Sequence, residues 1–370
     1  MADLNDTHSD NRKATWLELF FDLIFVVAIA KAAHVVQHQH HGHIDVATYL
    51  KYALIMIPIW WAWVGATLYA NRFDCDDIWQ RLMSFGQMFC VVILAAHIST
   101  DFDSYYKGFL LSYAGIRLIT ILMYLRASLT SAQTKAVSNF LALSFTVGIL
   151  ISLSSLFFEG PLRYILLYAG IGFDMIMPLI GHKRLKAMPV HAHHLPERFG
   201  LLTIILLGES VLSLATSFGM LEWTTPSLIM AGCGFAVACG LWWIYFNSIE
   251  RGVVGRNLGH GQNIIYSHLL IYSGLGAVAA VIHFAVIPEL TLLDYKILSA
   301  VGILGFMAGL QFLHMSYNQG SERKSALINA ALFNVSFIAM LVLAPTIFIV
   351  MVGTTTLVLA YAALDHHRLK

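Results

Sequence analysis

Apolar residues run along this chain in blocks of about 20 or more, separated by short polar stretches that contain Gly or Pro. A helix of about 20 apolar residues crosses a hydrocarbon core roughly 30 Å thick. The pattern therefore predicts an all-α polytopic membrane protein with about twelve transmembrane helices. The expected spans are residues 16–36, 46–70, 78–99, 105–126, 137–157, 161–181, 196–218, 226–247, 262–287, 295–317, 324–343 and 345–364.

The composition agrees with this pattern. Hydrophobic residues make up 58% of the 370 positions, charged residues make up 12%, and the mean hydropathy is +0.71. An average soluble domain is about one-quarter charged, so this chain has too little polar surface to cover a globule in water. We expect no separate soluble domain, and membrane lipids as the surroundings of the helices. The net charge of +1 argues against nucleic acid as a partner.

The first apolar block is expected to remain in the mature protein. It is long, contains acidic residues and lacks a small-residue cleavage site, unlike a signal peptide. The cysteines show no CxxC spacing, so neither a disulfide framework nor a zinc site is predicted. They are Cys75, Cys90, Cys233 and Cys239.

Basic residues predict the orientation of the helices, because loops that face the cytoplasm are enriched in Lys and Arg. With twelve spans, sixteen of the 22 Lys and Arg fall on one side and five on the other, while Arg117 lies at mid-depth. The side with sixteen includes both ends of the chain. We therefore expect both termini in the cytoplasm.

The two halves of the chain show signs of an internal duplication. Residues 161–186 and 345–370 both begin with Pro and end in His-x-Arg-Leu-Lys, at an offset of 184. A Trp-Trp pair recurs at an offset of 182. Aligning "FDLIFVVAIA" with "GESVLSLATS" places Asp22 on Glu209, at an offset of 187.

These offsets predict two parallel six-helix repeats, related by an axis along the membrane normal. An even number of helices in each half gives both halves the same orientation. The expected organisation is a cytoplasmic N-terminal tail at residues 1–15, a first repeat at 16–186, a cytoplasmic linker at 187–195 and a second repeat at 196–370.

Three motifs stand out along the chain. They are "TWLELFFDLIFVVAIA" near the start, "NRFDCDD...R" after the second span, and "ERFGLLTIILLGESVLSLA" at the opening of the second half. These motifs resemble the bacterial low temperature requirement protein A (LtrA) family. The similarity runs along essentially the whole chain. It implies a multi-pass protein of the bacterial plasma (inner) membrane, associated by the family name with growth in the cold.

A weaker similarity links the first span to the endolysosomal potassium channels that carry a Phe-Ser-Asp motif. It rests on "FFD" in this chain and on the count of six plus six helices. Phe21 stands where those channels have Ser, and the second half has Gly-Glu-Ser. The channel interpretation is therefore an analogy.

Charged side chains inside the predicted spans are the main functional signal, because an unpaired charge there costs several kcal/mol. Glu18 and Asp22 are four residues apart and share one helical face. Glu18 is expected to reach headgroup water, whereas Asp22 lies about 6 Å deeper. Asp174, Glu209 and Arg117 are similarly central in their spans.

These groups leave two interpretations open. Arg117 does not deprotonate in proteins, so a structural ion pair with Asp22, Asp174 or Glu209 is one expectation. Acids without such a partner would bind a cation or hold a proton, because desolvation disfavours the bare carboxylate. The candidates for transport or ion binding are Asp22, Glu209, Asp174, Arg117, Glu18 and Ser210.

The loop "NRFDCDDIWQR" after the second span carries three carboxylates between two arginines. Clustered carboxylates can hold Mg²⁺ against a phosphate, which would suit an enzyme acting on lipid phosphates at the cytoplasmic face. The same residues would also make a charge-balanced loop that ties two helices together, and this structural interpretation is favoured. The motif comprises Asn71, Arg72, Asp74, Asp76, Asp77 and Arg81.

Histidines are concentrated in one predicted outer loop, "QHQHHGHID". Such a loop would bind Zn²⁺ or Cu²⁺ or respond to external pH, but histidine clusters without Cys are weak metal signals. A solvated polar loop is the simpler interpretation, and no cofactor is predicted. The weak candidate ligands are His38, His40, His41 and His43.

Three classes of function follow. The preferred one is a transporter or channel that moves protons, monovalent cations or a small solute between the two repeats, with Asp22 and Glu209 alternately holding the ion. The second is a membrane enzyme acting on lipid phosphates, although no Ser-His pairing, HExxH or Gly-rich phosphate loop supports it. The third is a structural or sensory membrane protein.

Overall fold

A computed structural model describes residues 12–73, 77–130, 132–219 and 223–367 of the chain. The structure is 84% helical, and no strand occurs in these ranges. A short 3₁₀ helix, Ser155–Phe157, follows the fifth α-helix. The α-helices are α1 Trp16–Val36, α2 Val46–Phe73, α3 Ile78–Ala96, α4 Phe102–Ala127, α5 Ala132–Ser154, α6 Pro161–Ile180, α7 His182–Leu185, α8 His194–Phe218, α9 Thr225–Gly252, α10 Gln262–Val286, α11 Leu292–Tyr317, α12 Gly320–Leu343 and α13 Ile347–His367.

Twelve of these helices are long and apolar enough to cross a membrane, and only the one-turn helix α7 is not among them. The predicted helical membrane architecture is therefore confirmed. The ends of the helices differ from the expected ones by a few residues, as in α9, which continues to Gly252 rather than ending at 247. The arrangement as two six-helix repeats stays a prediction.

Side-chain caps fix where several helices begin. In seven cases among the described residues the side chain of the residue before the helix accepts a hydrogen bond from a backbone N–H three residues later, which satisfies a donor that has no partner inside the helix. These capping residues are Thr15 before α1, Asp45 before α2, Asp77 before α3, Asp101 before α4, Thr224 before α9, Thr291 before α11 and Thr346 before α13.

The chain forms two compact units. Unit 1 contains the described part of residues 1–31 together with 54–198 and 257–265, and unit 2 contains the described part of 32–53, 199–256 and 266–370. Within unit 1, α4 packs against α3 and α5, and α5 packs against α6. Within unit 2, α9 packs against α13, and α12 packs against α11 and α13.

The outer faces of the helices are apolar. On α12, for example, Val335, Val342 and Leu343 are largely exposed. In water such a surface would promote aggregation. Hydrocarbon solvates it and leaves the backbone hydrogen bonds inside the helix undisturbed. Polar side chains therefore concentrate in the interior of each unit, where they must find partners.

Candidate functional site

Glu18 lies in the first turn of α1 and is part of a capping box. Its carboxylate accepts a hydrogen bond from the Thr15 backbone N–H at 2.8 Å, and Thr15 Oγ1 accepts one from the Glu18 N–H at 3.3 Å. The expectation that Glu18 reaches headgroup water is wrong, because the residue is only 7% exposed. The partners that surround its carboxylate replace the water.

Asp22 lies one turn further along α1 and is fully buried. Arg198 donates to both of its oxygens, from Nη2 at 2.5 Å and from Nε at 3.2 Å. The Trp63 indole N–H donates a third hydrogen bond at 2.8 Å. Three donors therefore replace the hydration that Asp22 would have in water.

Arg198 joins the two carboxylates of α1. Its Nη1 lies 2.7 Å from Glu18 Oε1 while its other nitrogens hold Asp22, and only 1% of the residue is exposed. A fork of five N–H donors suits such double pairing. The sequence does not reveal this role, because Arg198 lies near the start of its span, among the basic residues assigned to the cytoplasmic side.

His194, at the start of α8, completes the group on the Glu18 side. The Asn71 amide nitrogen lies 3.0 Å from His194 Nδ1, and because an amide nitrogen only donates, Nδ1 accepts and the ring proton sits on Nε2. Nε2 lies 3.2 Å from Glu18 Oε1 and donates to that carboxylate. Arg12 Nη2 also lies 3.7 Å from Glu18 Oε1, so this carboxylate has a second arginine nearby. We call Glu18, Asp22, Trp63, His194 and Arg198 the α1 charge cluster.

A small cavity of about 30 Å³ opens beside the α1 charge cluster. Glu18 and Arg198 line it together with three polar side chains of α3, Gln80, Ser84 and Gln87. A polar cavity of this size has room for about one or two water molecules. Gln87 donates to Thr120 Oγ1 of α4 at 2.9 Å, so polar contacts continue inward from the cavity.

A second buried ion pair lies elsewhere in unit 1. Arg117 Nη2 of α4 is 2.7 Å from Asp174 Oδ2 of α6, and the guanidinium lies 4.0 Å from the centre of the Phe145 ring. Both side chains are almost fully buried. A Cβ at Gly148 would overlap Asp174 Oδ1, so only glycine permits α5 to approach this carboxylate. Asp174 is therefore the partner of Arg117, which the sequence could not choose among Asp22, Asp174 and Glu209.

Glu209 has a different environment, in unit 2. The nearest basic group to it in the described part of the chain is His34, whose Nε2 lies 3.9 Å from Glu209 Oε1. The neighbouring Ser210 Oγ is buried and has no hydrogen-bond partner among the described residues. Asp22, which the duplication aligns with Glu209, belongs to unit 1.

The acidic loop after α2 lies partly outside the described residues, which do not include Asp74 and Asp76. Asp77 caps α3 and pairs with Arg126 at the end of α4, and this hydrogen-bonded cation holds the pKa of Asp77 below its usual range. Arg72 donates to the carbonyl oxygens of Met188 and His260, at 3.1 and 3.3 Å.

The other two members of that loop motif lie on helices. Asn71, near the end of α2, donates to His194 and accepts from the His191 N–H at 3.0 Å. Arg81 lies in the first turn of α3, where its N–H donates to the Asp77 carbonyl. Asn71 and Arg72 therefore connect the end of α2 to the segment before α8, as expected of a loop that ties helices together.

The histidine-rich loop packs onto the start of α11 within unit 2. His43 Nδ1 lies 2.8 Å from Asp294 Oδ2, and the Ile44 N–H donates to the other oxygen of that carboxylate. His40 and His43 form a small antiparallel bridge. Among the described residues, no group of three or more His, Cys, Asp or Glu has a geometry that could hold a metal ion.

Comparisons with known proteins place these motifs in a family. The family described as "Bacterial low temperature requirement A protein (LtrA)" matches residues 13–363. The uncharacterized protein RA0937 of Rhizobium meliloti (strain 1021) is 25% identical over 303 residues, which cover 78% of this chain and 72% of that protein. No solved structure matches the chain. The resemblance inferred from the motifs is confirmed, and this multi-span membrane protein belongs to the LtrA family.

Proposed function

We propose that this protein moves protons across the bacterial inner membrane and that the α1 charge cluster is the site where the proton binds. The observation that carries the proposal is that two buried carboxylates, Glu18 and Asp22, share the guanidinium of Arg198. Of the protons, monovalent cations and small solutes that the sequence left open, this arrangement favours the proton.

Protonation of either acid leaves the other carboxylate to balance the charge of Arg198. Arginine stays charged in proteins, so Glu18 and Asp22 are the groups of this cluster that can exchange a proton with little rearrangement. If Asp22 is protonated, Glu18 still pairs with Arg198 and with Arg12, whose Nη2 lies 3.7 Å from Glu18 Oε1. If Glu18 is protonated, Asp22 still pairs with Arg198, and Arg12 keeps its hydrogen bond to the Ala70 carbonyl oxygen. A stranded buried charge would cost about 3–5 kcal/mol, and sharing one cation between two acids avoids that barrier.

The cavity beside the cluster supports the choice of a proton. Its volume of about 30 Å³ accommodates one or two water molecules, which can relay a proton along hydrogen bonds. A sodium or potassium ion with its hydration shell does not fit. The hydroxyl of Ser84 and the Gln87–Thr120 hydrogen bond extend the polar lining inward.

The orientation is part of the same proposal. The excess of basic residues on the side that includes both termini favours a cytoplasmic location for the start of α1, so the α1 charge cluster would take protons from or release them to the cytoplasm. A role in growth at low temperature rests on the family description alone. A strain that carries Asp22→Asn would grow as poorly in the cold as a deletion strain if that role depends on proton movement.

Proton flux in proteoliposomes tests the proposal. The purified protein is reconstituted with a pH-sensitive dye inside the vesicles, and a pH gradient is imposed with K⁺ and valinomycin present to clamp the membrane potential. Wild type should dissipate the gradient, and Asp22→Asn should reduce the rate to that of empty vesicles. Parallel Na⁺ and K⁺ gradients, read with ion-selective dyes, should show no flux.

A structural role for the buried charges is the second candidate, and the Arg117–Asp174 pair favours it. There each charge has one partner, so the pair holds α4 against α6 and offers no spare acid. If the α1 charge cluster has the same role, folded wild type will show no proton flux under any gradient. Asp22→Asn will then lower the stability of the protein without changing any flux.

A further inference from the structure

Unit 2 contains a polar crevice of about 520 Å³ to which the proposed proton site does not contribute. The ends of α9, α11 and α13 and the start of α12 surround it. A volume of this order is typical of small-molecule sites, which span about 300–1,000 Å³. Uncharged polar side chains dominate the lining, and they include Asn247, Ser248, His314, Asn318, Ser325 and Asn329.

Two amides in the crevice hold buried atoms that have no hydrogen-bond partner among the described residues. One is Asn247 Nδ2, a donor, and the other is Asn318 Oδ1, an acceptor. A buried polar atom without a partner costs about 1–3 kcal/mol, so a ligand that pairs with both gains that energy on binding. Gly252 leaves room beside this acceptor, since a Cβ there would lie 3.1 Å from Asn318 Oδ1.

His314 is held in one tautomer by its neighbour. The Asn318 amide nitrogen lies 3.0 Å from His314 Nδ1 and can only donate, so the ring proton sits on Nε2. His314 is only 8% exposed. The crevice therefore presents both donors and acceptors, which is what hydroxyl groups, each both donor and acceptor, can satisfy.

Among the described residues, the charges around the crevice balance. Arg251, Glu322 and Asp365 line it, and Arg256 pairs with Glu322 at 3.2 Å. Two arginines thus offset two carboxylates at the rim. A strongly anionic ligand such as a phosphate would need a cationic surplus, and a cation would need an acidic one. The balance favours an uncharged ligand.

We propose that this crevice binds a neutral polyhydroxylated ligand of about mono- to disaccharide size. Its hydroxyls accept from Asn247 Nδ2 and donate to Asn318 Oδ1, and the hydroxyls of Ser248 and Ser325 surround them. The same chemistry belongs to a free sugar and to the headgroup of an uncharged glycolipid. The proposal does not depend on proton movement.

Binding to the full-length protein in lipid nanodiscs tests the proposal. The protein is purified in lauryldimethylamine oxide, because a maltoside detergent would itself compete for the crevice. Maltose is titrated by calorimetry into nanodiscs of phosphatidylethanolamine and phosphatidylglycerol, and a second preparation contains monoglucosyldiacylglycerol. Saturable maltose binding points to a free sugar, whereas a rise in the unfolding temperature with the glucolipid alone points to a headgroup.

Substitutions in the crevice and on the opposite face of α12 test whether the ligand binds in the crevice. Asn247→Leu and Asn318→Leu should each weaken it by about tenfold, the equivalent of one net hydrogen bond. Ala326→Trp, which fills the crevice, should abolish it. Ile328→Trp, on the exposed face of the same helix, is the matched control and should bind within about twofold of wild type.

Three results would overturn the proposal. One is that folded wild type binds neither maltose nor the glucolipid saturably. Another is that Ala326→Trp binds as well as Ile328→Trp, which would put the ligand outside the crevice. The third is that glycine betaine, a zwitterion without hydroxyls, binds whereas the two sugar compounds do not.

Discussion

Two of the buried arginines of unit 1, Arg198 and Arg117, are paired in very different ways. Arg198 has two carboxylate partners, Glu18 and Asp22, whereas Arg117 has one, Asp174. All five side chains lie in membrane-spanning helices and are almost completely buried. The two sites share their chemistry, so the difference in the number of acids decides what each can do.

The one-to-one pair is complete only when both members are charged. Protonation of Asp174 would leave Arg117 with the face of Phe145 as its main contact, and a buried unpaired charge is strongly unfavourable. The α1 charge cluster tolerates protonation of one acid because the second acid remains charged and paired with Arg198. The comparison indicates that an arginine shared by two acids permits proton exchange. An arginine paired with a single acid instead holds two helices together.

The largest expected effect belongs to Arg198→Met. It leaves Asp22 without a cation and Glu18 with only Arg12, at 3.7 Å, and we expect a loss of about 3–5 kcal/mol in the free energy of unfolding. Denaturation in mixed micelles with increasing sodium dodecyl sulfate measures it. Arg126→Met is the matched control, since its partner Asp77 has a side chain that is 39% exposed and such pairs contribute about 0–1 kcal/mol. Equal losses in the two variants would contradict the comparison.

The second prediction compares the cost of neutralising Asp174 with the cost of neutralising Asp22. Asp174→Asn strands Arg117 and should cost about 3 kcal/mol, whereas Asp22→Asn leaves Glu18 on Arg198 and should cost about 1 kcal/mol. The same denaturation series measures both. A loss for Asp22→Asn as large as that for Asp174→Asn would mean that Arg198 depends on Asp22 alone, and the idea of a shared cation would fail.

A third, smaller effect comes from Trp63→Phe, which removes one hydrogen bond to Asp22 and keeps an aromatic ring in place. We expect a loss of about 1 kcal/mol in unfolding free energy, the usual net value of a hydrogen bond to a buried group. Trp243→Phe, in the more exposed part of α9, is the control. A change below the precision of the measurement would show that Trp63 only fills space beside the cluster.

The smallest predicted effect depends on pH, at Asp77. Its pKa is lowered in the folded protein by Arg126, so the stability it adds is present above about pH 3.9, its usual value, and is lost as pH falls through the lowered pKa. Asp77→Asn keeps the helix cap, because Asn caps as well as Asp, and removes only the charge. The gap in unfolding temperature between wild type and Asp77→Asn should be constant from pH 7 to 5 and shrink below pH 4. A constant gap at all pH values would assign the effect to the cap.

The sequence predicted the twelve helices because apolar blocks of span length leave few alternatives in a membrane. It also singled out Asp22, Asp174 and Arg117, since charges at depth need partners. It could not assign Arg198 as the partner of Asp22. Arg198 lies only one turn into α8, where a hydropathy pattern indicates a charge at the membrane interface. The Thr-x-x-Glu capping box at residues 15–18 was an available sign that Glu18 turns back toward the backbone rather than outward.

Glu209 shows a second limit of sequence reasoning. The repeat alignment treats it as the counterpart of Asp22, yet its one basic neighbour among the described residues is His34, at 3.9 Å and more than half exposed. Similar positions in two halves of a chain do not fix the side chains that surround them. Donor side chains such as Trp63 and Asn71 give no periodic signal at all, because hydrogen bonding depends on packing between helices.

Infrared difference spectroscopy of the purified protein tests most directly whether the α1 charge cluster exchanges a proton. A protonated carboxyl group has a carbonyl stretching band that a carboxylate lacks, and the band is followed as pH is lowered over the range in which the protein stays folded. We expect a band in wild type that shifts or disappears in Asp22→Asn and in Glu18→Gln but is unchanged in Asp174→Asn. A band that persists in both cluster variants, or that only Asp174→Asn removes, would contradict proton exchange at the α1 charge cluster.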